Sequence, residues 1–490
     1  MRDPHARSGG SPSEPRRLRV PAVLLALLAM AALGPLAAVA VGQGGVIAQS
    51  AGNPPTATGV TMTAVPSPYS IPTTTTTSTP PPTKPYTVPT TTTPPVISPG
   101  PAGNPFATRG MWIWVLRSSD GGRLSVIAAQ AKADGIGTLM IKSSDGVQFW
   151  PQFSARMVSS FHRDRLHVCA WQFVYGIKPA QEAQLGARAV RDGADCLLID
   201  AESQYEGKYV QAQTYIRTLR KLIGRRFPVG LAGFPYVDLH PAFPYSVFLG
   251  PGGAQVNTPQ MYWRDIGTTV TAVYRHTYAF NSLYERPIYP LGQVFESPPR
   301  SQVLAFRTAS LAYHAKGVSW WDWQDAGAVQ FHAIAGRAPL PRGPAPATAL
   351  ASLGRGAIGD VVVWAQEHLV SAGFRLAIDG IFGPLTQAAV ERFQAQHRLA
   401  PSGIVTPATW SILLRFAPVS VTWTATKSGA TATATAPKRA IVLDGGASAA
   451  VLPMPASARA PARGDELRGA PGEGYPGSPA DGRPGALRER

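Results

Sequence analysis

Eight short apolar runs, separated by helix-forming stretches, fill residues 106–337 and limit what this chain can fold into. They read "GMWIWVL" (110–116), "IGTLMIKSSDG" (136–146), "HVCAWQFVYG" (167–176), "CLLIDAES" (196–203), "PVGLAGFPY" (228–236), "VNTPQMYW" (256–263), "YPLGQVFES" (289–297) and "GVSWWDWQ" (317–324). The clearest intervening helices are "RLSVIAAQAKADG", "AQEAQLGARAVRDG" and "KYVQAQTYIRTLRKLIG", each ending on a Gly that suits a helix C-cap. Eight strand–helix alternations over about 230 residues predict an α/β fold, a (β/α)8 TIM-like barrel. An open doubly wound sheet is the competing reading. It does not need eight units, and no Gly-rich phosphate loop follows the first run.

The fourth run drives into two carboxylates, Asp200 and Glu202. Side chains alternate across a barrel strand, so Leu198, Asp200 and Glu202 share one face. If that face points inward, Leu198 fills the barrel and the acids reach its C-terminal rim, where barrel enzymes place their chemistry. Two acids on one strand do not flank a scissile bond as a two-carboxylate glycosidase requires. One would transfer a proton and the other would tune it, since neighbouring carboxylates resist ionising together. The bland alternative is that Asp200 caps the next helix and Glu202 pairs with Lys142 or an Arg. Asp322, Glu296 and Lys142 also lie at strand ends and are further candidates.

Residues 353–416 form a second region, with amphipathic helices around Val361, Trp364 and Leu369 and around Ala389, Val390 and Phe393. This region resembles the peptidoglycan-binding domain family of cell-wall hydrolases. The matching positions are Gly359, Val363, Gln366 and Leu369, then "DGIFG" with Asp379, Gly380, Phe382 and Gly383. Thr386, Ala389, Val390, Phe393, Gln394, Gly403, Thr409, Trp410 and Leu413 complete the pattern. The resemblance implies a small all-α three-helix fold that docks on wall glycan or its peptide stems. Most of the matched residues read as fold-forming: Asp379 and the glycines shape a turn, and Phe393 and Trp410 are core.

The barrel region is similar in part to family-18 chitinases, which end their fourth strand on "D-x-x-D-x-D-x-E". Here "DCLLIDAE" supplies Asp195, Asp200 and Glu202, and Leu198 stands where the middle Asp would be. Family-25 lysozymes also use Asp-x-Glu on a barrel strand, with a first-strand Asp that "GMWIWVL" lacks. The resemblance implies a retaining hydrolysis assisted by the substrate's own N-acetyl group. Glu202 would protonate the leaving oxygen, Asp200 would orient the acetamide, and Tyr262 would hydrogen-bond it. Trp320 or Trp321 would floor the sugar site, and Trp112, Trp114 and Trp171 would offer further stacking faces. The substrate class is peptidoglycan or a related N-acetylated glycan, and no cofactor or metal is expected. A non-catalytic wall-binding or scaffolding protein with a degenerate barrel is the alternative.

Other chemistries find no support. The nine histidines are scattered without "HExxH", and no "G-x-S-x-G" elbow occurs. Cys169 and Cys196, the only cysteines, sit inside predicted strands, which argues against a cysteine peptidase. They fall in adjacent predicted strands. Buried free thiols are the expectation, because parallel ladders seldom suit a bridge, and a disulfide is the alternative.

Residues 1–19 are a basic n-region, and 20–42 are an uncharged apolar segment. Together they predict export, with the segment either a cleaved signal or a membrane anchor. A Thr/Pro-rich stretch at 43–105 reads as a stiff disordered linker, 338–352 as a shorter Pro-rich linker, and 417–490 as a disordered tail. Within that tail, "VSVTWTAT" could form a local strand. The net charge of +17 is diffuse, without the aromatic-interleaved basic clusters of a nucleic-acid surface. The resemblances above imply wall polysaccharide as a partner, the N-terminal segment implies a membrane if it is retained, and the charge pattern points to no nucleic acid. The expected location is extracellular or in the cell envelope.

Overall fold

A computed structural model describes residues 98–343, 346–426 and 429–435. The basic n-region, the apolar segment 20–42, most of the Thr/Pro linker and the tail beyond 435 lie outside the described residues. Among the described residues, no helix is long and apolar enough to cross a membrane.

All eight predicted runs form parallel strands: β1 Arg109–Ile113, β2 Thr138–Asp145, β3 His167–Val174, β4 Cys196–Ala201, β5 Val229–Ala232, β6 Val256–Asn257, β7 Leu291–Gln293 and β8 Val318–Trp321. Their order is β6-β5-β4-β3-β2-β1-β8-β7. The two ends then meet. Parallel bridges pair Asn257 with Ile288 and Gln260 with Leu291, and the Met261 N–H donates to the Leu291 carbonyl at 2.7 Å. The sheet is thus a closed barrel, not the open doubly wound alternative. The helices between strands are α1 Leu124–Ala133, α2 Ala155–Arg163, α3 Pro179–Arg191, α4 Tyr209–Ile223, α5 Tyr245–Phe248, α6 Val270–Asn281, α7 Arg300–Ala312 and α8 Ala328–Ala335. Helix α4 stops at Gly224, whose φ of 81° suits a residue without Cβ.

Alternation sorts each strand into two faces. On β4, Leu197 and Ile199 pack outward under the helices, while Cys196 and Leu198 pack inward. Trp112, Met140, Trp171 and Leu291 join them in the interior. The two cysteines are direct register partners on β3 and β4, with Cα atoms 4.5 Å apart, and they form a disulfide. This corrects the expectation of free thiols. Both side chains point into the narrow barrel interior, at a separation within the usual disulfide range.

The C-terminal helices are α9 Asp360–Ser371, α10 Pro384–Gln396 and α11 Pro407–Leu413. Gln366 stitches the "DGIFG" turn: its amide oxygen accepts from the Asp379 and Gly380 N–H groups, and its Nε2 donates to Asp379 Oδ1 and Thr386 Oγ1. Gln394 repeats the device with Gly403 and Thr409. Phe393 and Trp410 are core, as expected.

This unit packs directly on the barrel. Asp360 is buried and accepts from the Ser246 N–H (2.8 Å), Ser246 Oγ (2.7 Å) and Tyr284 OH (2.8 Å). The Trp364 indole donates to the Leu283 carbonyl at 2.7 Å. Gly359 has φ 106°, and a Cβ there would meet Pro241 at 2.5 Å, so both the turn and the close approach require glycine.

The start of the tail also folds. β9 Ser420–Thr426 and β10 Gly429–Thr435 form an antiparallel hairpin; β9 falls on the "VSVTWTAT" run expected as a local strand, and its partner β10 corrects the expectation of disorder for 429–435. Trp423 packs on Tyr209 of α4, with ring centroids 4.2 Å apart.

The disulfide closes a loop of moderate length, so replacing Cys169 and Cys196 together with Ala should lower stability by about 2–4 kcal/mol. Denaturant unfolding under oxidising conditions measures this. Equal midpoints for variant and wild type would show that the bridge does not stabilise the barrel.

Candidate functional site

The polar side chains gather at the C-terminal ends of the barrel strands. Asp200 sits directly above Leu198 and is 7% exposed, and Glu202, just past β4, is half-buried. Gln260 joins them: its Nε2 donates to Asp200 Oδ1 at 3.1 Å and to Glu202 Oε1 at 3.0 Å. Gln260 is itself held by its N–H bond to the Gly233 carbonyl and by its bridge to Leu291. The closure of the barrel between β6 and β7 therefore positions the residue that ties the acids together.

Burial pushes the Asp200 carboxyl well above the usual carboxylate range, and the nearby Glu202 charge pushes it further. Lys142 and the Gln260 bond oppose this. Glu202 is raised too, mainly by burial, against the Gln260 bond and the charge of His240. Such a pair holds a proton into a pH range where exposed acids have lost theirs. Tyr262 stands beside both acids, and its phenol is raised by burial and then by their charges.

Lys142 does not pair with Glu202. It is 4% exposed and bonds Asp145 Oδ2 at 2.6 Å, with its ammonium 4.5 Å from the Trp150 ring centre and 4.8 Å from that of Trp171. Cation–π attraction and the ion pair together hold this charge in place. Tyr175 donates to the other Asp145 oxygen at 2.8 Å, and burial and that bond push its phenol up to about 12. Asp322 is buried, and one of its oxygens has no partner among the described residues. Burial and then Asp325 raise its carboxyl well above the usual range. Glu296 is exposed and faces Arg264, away from the acid pair's bonds.

The aromatic expectations divide. Trp321 points inward and packs against Trp112, Trp114 and Trp171 while remaining partly exposed. Trp320 is 0% exposed and packs outward with the helices, because neighbours on a strand face opposite sides. It offers no face to a ligand at the mouth. Trp112 and Trp171 are buried as well, their indoles donating to Ser319 Oγ and the Ile113 carbonyl. They are barrel filling beneath Trp321 and Trp114. Sequence reasoning missed Gln260, Asp145, Tyr175 and Trp150. Asp145 was legible at the end of the second run; Gln260 became significant only once closure brought it over β4.

Among the described residues, no group of three or more His, Cys, Asp or Glu side chains is placed to hold a metal.

Comparisons with known proteins bear mainly on the C-terminal unit. Residues 359–413 match the family described as "Putative peptidoglycan binding domain". The zinc D-Ala-D-Ala carboxypeptidase of Streptomyces albus G is 44% identical over 63 residues, 12% of this chain and 25% of that protein. The chain thus spans about a quarter of that relative's length. A crystal structure of a Burkholderia AP3 phage endolysin is 46% identical over 13% of this chain and 24% of that one, with a TM-score of 0.13. A fungal family-18 endo-β-N-acetylglucosaminidase structure covers 46% of this chain and 94% of its own, at 14% identity and a TM-score of 0.34. Residues 359–413 thus carry the pattern of the peptidoglycan-binding domain family.

The raised acids give a prediction. Their folded-state proton affinities exceed the unfolded ones, so the native state binds extra protons and stability falls as pH rises above the ordinary carboxylate range. Asp200→Asn removes one charge and keeps an oxygen for Gln260. At about pH 7.5 it should melt roughly 2–4 °C above wild type, with the gap closing toward about pH 4. Calorimetry across that range decides; a lower melting point at the alkaline end would mean the carboxylate is held by more than its burial costs.

Proposed function

We propose that this protein is an exported glycoside hydrolase of the cell envelope, acting on peptidoglycan or a related N-acetylated glycan. The observation that carries the reading is the Gln260-bridged Asp200–Glu202 pair at the mouth of a barrel that bears a peptidoglycan-binding domain. Adjacent acids favour substrate assistance over a flanking pair. Glu202 donates its proton to the glycosidic oxygen as the bond to the anomeric carbon breaks. The substrate's acetamide oxygen bonds that carbon, with Asp200 orienting the acetamide and taking up its developing positive charge. Tyr262 donates to the acetamide oxygen. Water then attacks the anomeric carbon as its bond to the acetamide oxygen breaks, which restores the neutral acetamide, returns a proton from the water to Glu202 and releases a sugar of retained configuration. Trp321 and Trp114, the partly exposed rings, supply the stacking faces.

A specific observation favours a second reading. Leu198 is fully buried at the position where the chitinase pattern carries an acid, as a barrel that binds glycan without cutting it would tolerate.

Incubation with purified sacculi separates the two. Wild type should release new reducing ends, and Glu202→Gln should release them about 10²–10⁴-fold more slowly while still pelleting with the wall. The alkaline limb of the wild-type profile should lie above the ordinary glutamate range, because activity is lost as Glu202 gives up its proton. Wall binding without any release by wild type would establish the scaffolding reading.

A further inference from the structure

A cavity of about 480 Å³ lies where α4, α5, α9 and the C-terminal hairpin meet, and it includes none of the barrel-mouth residues. Its volume falls in the range of small-molecule sites. Two kinds of charge line it. Glu367, on α9, is 3% exposed, and among the described residues no donor reaches its carboxylate. Burial, followed by the charge of Asp360, raises its proton affinity well above the usual range. A buried acid without a hydrogen-bonding partner is costly, and such groups are normally satisfied.

Arg217, Lys221 and Arg225 line the same cavity and are all exposed. Arg217 makes one 3.3 Å bond to Thr422 Oγ1, and no salt bridge neutralises any of the three among the described residues. Arg220 differs. Its guanidinium is spent on the carbonyls of Gly224, Phe227, Gly252 and Gly253 and on Gln255 Oε1, so its role is structural. Trp423 adds an apolar surface to the lining.

We propose that this cavity binds a zwitterionic amino-acid or short-peptide group, with its ammonium on Glu367 and its carboxylate on Arg217, Lys221 and Arg225. An ammonium brings three donors to an acid that has none, and three unneutralised cations suit a carboxylate. The same chemistry is found in free peptides and in peptide stems of the wall. Because the cavity is separate from the barrel mouth, the inference does not depend on the hydrolase reading.

Titration calorimetry of the full chain with tri-alanine tests it, alongside N-acetyl-tri-alanine and tri-alanine amide. Tri-alanine should bind, and each capped peptide should bind at least about 10-fold more weakly. Glu367→Gln should weaken tri-alanine by a similar factor and leave the N-acetylated peptide unaffected. Lys221→Ala, an exposed change that the fold tolerates, should weaken tri-alanine and leave the amide unaffected. Competition by stem peptides released from sacculi would assign the site to the wall, and tri-alanine binding without such competition would assign it to free peptides. No binding of tri-alanine at about 10 mM, or equal binding by wild type and both variants, overturns the proposal.

Discussion

Closure of eight parallel strands on a narrow interior is the constraint on which the rest of this structure depends. Inward side chains must fill that space in layers, and alternation decides which residues do so. On β4 the layers run Cys196, Leu198, Asp200 from bottom to top. The disulfide occupies the lowest layer, and Leu198 fills the next among Trp112, Met140 and Trp171. Asp200 is the first position where a polar group can stand, and it remains almost wholly buried. A buried acid needs a partner. Gln260 supplies it only because the segment after β6 bridges to Leu291 and completes the ring. The site's geometry is therefore a product of closure, not of a single strand.

The same economy joins the C-terminal unit to the barrel. Asp360 opens α9 and places a carboxylate against the Ser246 N–H, the Ser246 hydroxyl and the Tyr284 phenol. Burial raises this acid to about 6, and the three donors limit the rise. The connection before it is pinned as well: the Ala351 N–H donates to the Ala279 carbonyl, and the Trp410 indole donates to the Ala351 carbonyl. The peptidoglycan-binding domain is thus fixed to the barrel's flank. Under the proposed function, a wall strand held by one unit is presented to the other at a set distance, instead of being sampled through a loose tether.

Legibility in the sequence followed the locality of the physics. The eight strands were visible because each is an apolar run bounded by turn residues. Alternation on β4 placed Asp200 and Glu202 on one face without any structure. Choosing between Trp320 and Trp321 needed the register of β8 against β1, where Trp320 pairs with Met111, and it is the outward face that takes Trp320. The disulfide needed Cys169 and Cys196 to be in register, which strand adjacency alone does not give. Gln260 is distant from the acids in sequence, and nothing local marks it. The hairpin at 420–435 is rich in Thr and Ala and carries little core of its own. Trp423 against Tyr209 and the Gln213 amide on the Val421 carbonyl fasten it to α4, a tertiary anchor that composition cannot reveal.

Gln260 also bears on where a transferable proton would reside. Its Nε2 donates to Asp200 Oδ1 and to Glu202 Oε1, so both of those oxygens act as acceptors. A proton on either acid is then confined to the other oxygen, Asp200 Oδ2 or Glu202 Oε2. Asp200 is the more buried, and its charge is opposed by Glu202 but supported by Lys142. Glu202 has the more open position, and its charge is supported by His240. An acid that must hand a proton to a substrate needs exposure, and one that orients a neighbouring dipole needs a fixed place. In the proposed mechanism those needs assign the transfer to Glu202 and the orientation to Asp200, with the amide of Gln260 keeping the two roles from exchanging.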